Sequence, residues 1–341
     1  MKQQLRNLVD RKVLLNRMHG DKANRTTVSF YQYARILNPP FFRNYLFLHW
    51  NAFGVRGRTY IAHEGINAQI SVPTDRFEDF QEHLYSISFL NGIRLNVTVD
   101  EGKSFFKLAI KVRDKIVADG LQDVAFDVRN TGVHLDAVKF NEITAKDDTI
   151  LIDMRNHYES EVGHFKGAIT PDVDTFREEI QLVEDMLKGQ EDRNIVMYCT
   201  GGIRCEKASA WLKHKGFPHV HQLEGGIIEY TRQVRDNGLE NRFVGKNFVF
   251  DERLAERITD DVIAECHQCG SPCDDHTNCM NVACNLLFIQ CPSCKKKYEE
   301  TCGSSCQEII QLPEDEQREL RKGHKDSARI FNKGRLSDRE D

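Results

Sequence analysis

The chain of 341 residues has no apolar run approaching the roughly 18 residues of a membrane helix, which excludes a helical membrane span. Its first segment, Met1 to Asp21, is charged throughout and has no apolar stretch ahead of a small-residue cleavage site. No secretory signal is read there, and a cytoplasmic protein without a membrane partner is expected. Positive charge is not in excess: 47 Lys and Arg stand against 52 Asp and Glu, a net charge of -5. Any contact with nucleic acid must therefore come from local patches. Glycine fingerprints for flavin or nicotinamide are missing, as is a His/His/carboxylate iron triad, so the usual redox cofactors have no evident seat. Low-complexity tracts are absent too, and 40% hydrophobic against 29% charged residues suits two or three globular domains. Cysteine, by contrast, is abundant. Nine of the eleven cysteines fall between Cys266 and Cys306, in part with CxxC spacing, which without an export signal favours metal ligation or redox chemistry.

After an N-terminal extension (1–25), the order strand (from Thr26), helix (Phe41 to Phe53), two strands (Thr59 to Ala62, Ala68 to Val72), helix (Asp75 to Ser86, N-capped by Thr74) and further strands (Arg94 to Val99, Phe105 to Val112) predicts an α+β domain over 26–120. That order is the β-α-β-β-α-β of a ferredoxin-like, acylphosphatase-like sandwich. From Asp147 short apolar strands alternate with helices, predicting a parallel α/β domain over 146–241. A cysteine-rich domain over 242–312 follows, opened by a helical reading of Asp251 to Glu265, and then a polar tail over 313–341 that lacks an apolar face and is expected to be solvated or partly disordered.

Four apolar residues, Ile195 to Tyr198, deliver Cys199 to the carboxyl end of a predicted strand, the place where open α/β sheets bind ligands. Thr200, Gly201, Gly202 and Ile203 form a tight loop whose N–H groups can point inward, and a helix begins soon after. A thiolate at the centre of such a nest is stabilised, and Arg204 adds a fixed positive charge. Cys199 and Arg204 are thus the candidate catalytic pair. Cys205 is either an accessory, resolving thiol or a helix-start cysteine packed on the sheet.

Asp153-Met154-Arg155 with Gly163-His164-Phe165-Lys166-Gly167-Ala168, the Cys199 loop, and Leu223-Glu224-Gly225-Gly226-Ile227 together resemble the rhodanese family. The resemblance implies an α/β rhodanese domain. Asp153 and Arg155 are placed to form an ion pair under the loop, and His164 reads as structural. The spacing Cys-x4-Arg is one residue shorter than the Cys-x5-Arg of related phosphatases and suits a smaller group than phosphate.

In the cysteine cluster, Cys266, Cys269, Cys291 and Cys294 form two CxxC pairs that can supply four thiolates to zinc. An iron–sulfur cluster or unmetallated thiols remain open readings. Cys273, Cys279, Cys284, Cys302, Cys306, His267 and His276 leave ligands for a second site whose pairing is not legible. Lys103, Lys107, Lys111, Arg113 and Lys115, punctuated by Phe105 and Phe106, are the candidate RNA-binding residues, with a solvated strand face as the alternative.

The three-part organisation resembles the bacterial tRNA uridine hydroxylases, with supporting stretches at Ala62 to Ala68, Lys111 to Val117 and Gly245 to Asp251. The resemblance implies an oxidoreductase that modifies tRNA in its anticodon region, converting the wobble uridine to 5-hydroxyuridine. Molecular oxygen would be co-substrate, with an electron donor that the sequence does not identify. The runner-up is a thiosulfate or persulfide sulfurtransferase on the same loop. A non-enzymatic RNA-binding adaptor is disfavoured by the intact Cys199 and Arg204.

Overall fold

The computed structural model describes residues 5, 7, 9, 11–21, 23–100, 104–123, 125–322, 332 and 333. Helix α1 (Arg11–Gly20) leads into β1 (Arg25–Tyr33), α2 (Pro39–Ala52), β2 (Arg56–Ala62), β3 (Gly65–Pro73), α3 (Phe77–Tyr85), β4 (Asn96–Asp100) and β5 (Leu108–Val112). The sheet order is β4-β1-β3-β2-β5. Its first four strands are antiparallel neighbours in the ferredoxin-like arrangement, and β5 adds a parallel edge beside β2. Asn38 accepts the Phe41 N–H and prolines fill the first helical positions, which fixes where α2 starts. Thr74 does not cap α3 as expected; it opens a 3-10 turn, Thr74–Arg76, that precedes the helix.

Alternation along the strands decides what each face does. Val28, Phe30, Ile66, Ala68, Ile70 and Val72 are buried against Leu46 and Trp50 of α2 and Phe80 and Leu84 of α3. Ser29, Tyr31, Asn67 and Gln69 therefore project from the opposite face, away from the helices.

The central region comprises β6 (Val133–Leu135), α4 (Ala137–Thr144), β7 (Thr149–Asp153), α5 (His157–Ser160), β8 (Gly163–Phe165), α6 (Phe176–Met186), β9 (Asn194–Tyr198), α7 (Ile203–His214), β10 (Val220–Leu223) and α8 (Gly226–Asn237). Strands β6-β10-β9-β7 make a parallel sheet. Phe176, Ile180 and Val183 of α6 and Leu212 of α7 cover one face, and Phe140 of α4 with Ile227 and Tyr230 of α8 cover the other. The sheet begins at Val133, upstream of the 146 boundary read from the sequence. Two of the three β6 residues are exposed, so the strand carries almost no apolar signal.

Strand β11 (Phe243–Phe248) pairs antiparallel with β8 and with β12 (Ala255–Arg257), so the C-terminal region is stitched onto the central one. The helix expected over Asp251 to Glu265 does not form. Asp251 holds Arg253 in a side-chain pair, Leu254 takes a left-handed φ of 61°, and the Thr259 hydroxyl bonds to Asp261, each of which competes with helical hydrogen bonding. Beyond lie β13 (His276–Asn278), β14 (Leu286–Ile289), α9 (Pro292–Tyr298), α10 (Ser304–Gln311), α11 (Glu314–Arg321) and β15 (Asn332–Lys333). The first part of the expected solvated tail is thus helical, although α11 buries none of its residues.

The N-terminal and central regions are tied by a buried cation. Lys207 of α7 is 1% exposed and donates to both Glu64 oxygens at 2.9 Å and to Asp119. A buried ammonium with two carboxylate partners is costly to separate, which holds the N-terminal sheet in register with the helix that follows the Cys199 loop.

Candidate active site and cysteine tetrads

Cys199 stands at the carboxyl end of β9 and is buried. Its Sγ accepts the Gly202 N–H at 3.1 Å. Gly202 has a φ of 99°, which lets the chain curl back on the sulfur before α7 begins. Burial pushes the Cys199 thiol up, but the hydrogen bond from Cys205, the Arg204 guanidinium and the backbone N–H groups of Cys205 and Arg204 outweigh it and bring it down to about 6. Burial and the neighbouring Cys199 push Cys205 well above the ordinary thiol range, so it keeps its proton and donates it. Cys205 is buried in the same core cluster as Cys199, and its protonated thiol is one of the influences that lower the Cys199 sulfur.

Arg204 does not float over the loop. Its two terminal nitrogens reach Glu159 at 2.7 and 2.8 Å, and Glu159 is itself fully buried in the capping box that opens α5. Below the loop, Asp153 and Arg155 form the expected pair at 2.7 Å, completed by the Tyr198 hydroxyl on Asp153 at 2.7 Å and the Gly163 carbonyl at 2.6 Å. The Gly225-Gly226 pair has a close-approach role. A Cβ on Gly226 would lie 2.4 Å from the Cys199 carbonyl oxygen, and the Ile227 N–H donates to that oxygen at 3.0 Å. His164 bonds through Nδ1 to the Ser160 carbonyl and is not among the cavity-lining residues.

A cavity of about 490 Å³ opens over the loop. Its walls come from three regions: the N-terminal sheet, the central region through the Cys199 loop together with Asn156 and Asp174 to Phe176, and Val249, Phe250, Asp251, Arg253 and Glu256 beyond it. Register makes one wall a cross-strand row, Asn96 beside Ser29, Ser29 beside Gln69, Gln69 beside Arg58. Tyr31 stands in the next row and donates to Glu206 of α7 at 2.9 Å. Sequence reasoning missed this wall. Its signal was the alternation Asn67-Ala68-Gln69-Ile70-Ser71-Val72, which names a polar face without saying that anything covers it.

Glu179 was missed as well. It is fully buried on α6, neither carboxylate oxygen has a hydrogen-bond partner among the described residues, and burial pushes its pKa well up despite the nearby Arg204. The legible clue was an acid inside the apolar spacing of Phe176, Ile180 and Val183.

Of the expected basic face, Lys107, Lys111 and Arg113 are exposed and Lys103 lies outside the described residues. Lys115 departs from the set. It is half-buried, pairs with Asp119 and donates to the Leu121 carbonyl at 2.6 Å, so its charge is engaged in the link between regions. Arg58 joins the set instead: burial lowers the Lys111 ammonium, and the charges of Arg113, Lys107 and Arg58 lower it further. Because Arg58 also lines the cavity, the basic strip runs to its mouth.

The cysteine-rich region holds two groups of four. Cys266, Cys269, Cys291 and Cys294 form one and Cys279, Cys284, Cys302 and Cys306 the other, with sulfur atoms inside each group within 4.8 Å of one another. The first is the set expected from CxxC spacing. Cys273 belongs to neither group, His267 bonds to Glu161 at 2.8 Å, and His276 bonds to the Tyr158 carbonyl at 2.9 Å.

The chain matches the family models described as UPF0176 acylphosphatase like domain over 25–116, Rhodanese-like domain over 136–233 and Rhodanase C-terminal over 244–307. It is 56% identical to the tRNA uridine(34) hydroxylase of Photorhabdus laumondii over 97% of this chain and 95% of that one. The chain belongs to the tRNA uridine(34) hydroxylase family. A second member of that family, from Salmonella arizonae, is 54% identical over 97% of this chain and 95% of its own. Together the three family models span the hydroxylase fold described above, from the N-terminal sheet to α10. Among the described residues no helix is long and apolar enough to cross a membrane.

Proposed function

We propose that this protein hydroxylates uridine 34 of tRNA at C5, with Cys199 as the reactive group. The observation that carries the reading is a thiol lowered to about 6 that lines a chamber together with amides, aromatic rings and arginines. A chamber of about 490 Å³ has room for an extruded nucleoside, and enzymes that act on a base take it out of the stack. Tyr31, Tyr60 and Phe250 offer rings, while Gln69 and Asn96 offer amides that can pair with the edge of uracil. The thiolate adds to C6 of the ring, which breaks the C5=C6 π bond and raises electron density at C5 for attack on oxygen. Two electrons and two protons then split the O–O bond to leave a C5 hydroxyl and water, and loss of the C5 proton expels the thiolate and restores the double bond. A sulfur-oxidised or persulfide form of Cys199 is the competing route. Molecular oxygen is the co-substrate and a reductant of unassigned class supplies two electrons. Arg204 and Cys205 hold the sulfur in its charged form. Mass spectrometry of tRNA nucleosides tests this directly. Cells whose only copy carries Cys199→Ser are expected to lose the 5-hydroxyuridine made by this enzyme, and a normal level would overturn the assignment.

The tRNA backbone is taken to follow Lys107, Lys111, Arg113 and Arg58 toward the cavity. Reversing Lys111 and Arg113 to Glu is expected to weaken tRNA binding and flatten its dependence on salt, by about one unit of log–log slope for each phosphate no longer neutralised. Unchanged affinity and slope would remove this face from the interface. The fully thiolate group Cys266, Cys269, Cys291 and Cys294 suits a closed, structural zinc site with no position open for oxygen.

A further inference from the structure

We propose that the two cysteine groups are a cross-braced pair of zinc sites, and that their loading fixes Glu159 and through it the Cys199 loop. The inference goes beyond the hydroxylase reading and does not depend on it. Along the chain the ligand pairs alternate: Cys266 and Cys269 serve the first site, Cys279 and Cys284 the second, Cys291 and Cys294 the first again, Cys302 and Cys306 the second again. Each site therefore closes a loop of chain that carries a ligand pair of the other. The distances fit the ion. Cys269 and Cys291 sulfurs are 3.7 Å apart, and Cys302 lies 3.6 Å from both Cys284 and Cys306. A tetrahedron with zinc–sulfur bonds of about 2.3 Å has edges of about 3.8 Å. Groups this tight leave no room for the inorganic sulfide of a cluster. On binding, each Zn²⁺ takes four thiolates and the four thiol protons pass to solvent; no electron moves.

The region has little else to fold on. Strands β13 and β14 are three and four residues long, and apart from cysteines the buried clusters around the two groups hold only Val162, Ala264 and Ile289 in one and Leu286 and Phe288 in the other. Yet this region grips the segment that carries Glu159. His276 reaches the Tyr158 carbonyl at 2.9 Å, and the Tyr158 ring packs against Phe248 and Leu287. His267 bonds to Glu161 at 2.8 Å, and Val162 is buried among Cys266, Cys291 and Cys294. Residues on both sides of Glu159 are therefore anchored to the metal-binding region, and Glu159 holds Arg204 at 2.7 and 2.8 Å. Glu159 is a positioning residue whose own position depends on the sites.

The test uses the full chain purified without chelators. Elemental analysis is expected to give two zinc ions per chain, and cobalt(II) replacement is expected to develop thiolate charge-transfer and tetrahedral d–d bands that saturate at two equivalents. Cys284→Ser is expected to retain at most one ion and to surrender it to a chelator about tenfold faster or more than the wild type does. Labelling of Cys199 by iodoacetamide, followed at its own peptide, is expected to lose its low pH midpoint after metal stripping. No metal, one equivalent at saturation, or stoichiometric iron would overturn the paired sites, and the wild-type measurements decide this even if the variant does not fold. An unchanged Cys199 midpoint in stripped protein would overturn the link to Glu159. Neither readout uses tRNA, so the hydroxylase assignment stands or falls separately.

Discussion

Cys199 and the clustered cysteines present the same element in two settings. At the loop a single sulfur is held by an N–H group, a neighbouring thiol and a guanidinium, and one side of it faces a chamber. In the C-terminal region eight sulfurs are turned toward one another in two groups of four. The first arrangement stabilises a charge while one side of the atom faces the chamber; the second turns four sulfurs onto a common centre and leaves no coordination position open, although Cys269 itself is exposed. Reactivity in this molecule follows from what a sulfur is not surrounded by.

The contrast breaks most severely at Arg204. Arg204→Gln removes the partner of a fully buried carboxylate, and a broken buried ion pair costs about 3–5 kcal/mol. Chemical denaturation is expected to read that loss, and Cys199 labelling is expected to need a higher pH than in the wild type. If stability and labelling were both unchanged, the guanidinium would not be what holds the loop sulfur.

A smaller change sharpens the comparison. In the wild type the thiolate is present above pH 6 and is lost as pH falls through about 6, so the labelling rate at Cys199 is expected to fall with that midpoint. Cys205→Ala deletes one donor and keeps Arg204, so the midpoint is expected to rise yet stay below that of an ordinary thiol. A midpoint unmoved in this variant would return Cys205 to a packing role.

Much of the molecule was legible because local signals and tertiary demands agree. Ile195 to Tyr198 followed by Cys199 and two glycines announces a strand, a tight loop and a helix, and these form. The paired CxxC spacing marked one cysteine group. The second group uses spacings of four and three intervening residues that interleave with the first, so pairing is set in space and not along the chain. Asp251 to Glu265 misled because charged residues of good helical propensity were satisfied by side-chain pairs and a short strand instead. Lys115 read as part of a basic face because nothing local marks Asp119, four residues on, as a buried partner that it shares with Lys207 of α7. The cavity wall was hidden for a similar reason: a polar strand face looks solvated until another domain covers it.

That covering has a practical side. Only the thiol-bearing side of the chamber belongs to the loop, while Gln69, Arg58 and Phe250 are contributed by neighbouring regions. A compound that bonds to Gln69 and stacks on Phe250 would find those partners missing from a solitary rhodanese domain. Selective inhibition should therefore be sought at the borrowed walls, and a warhead aimed at Cys199 alone would be indiscriminate.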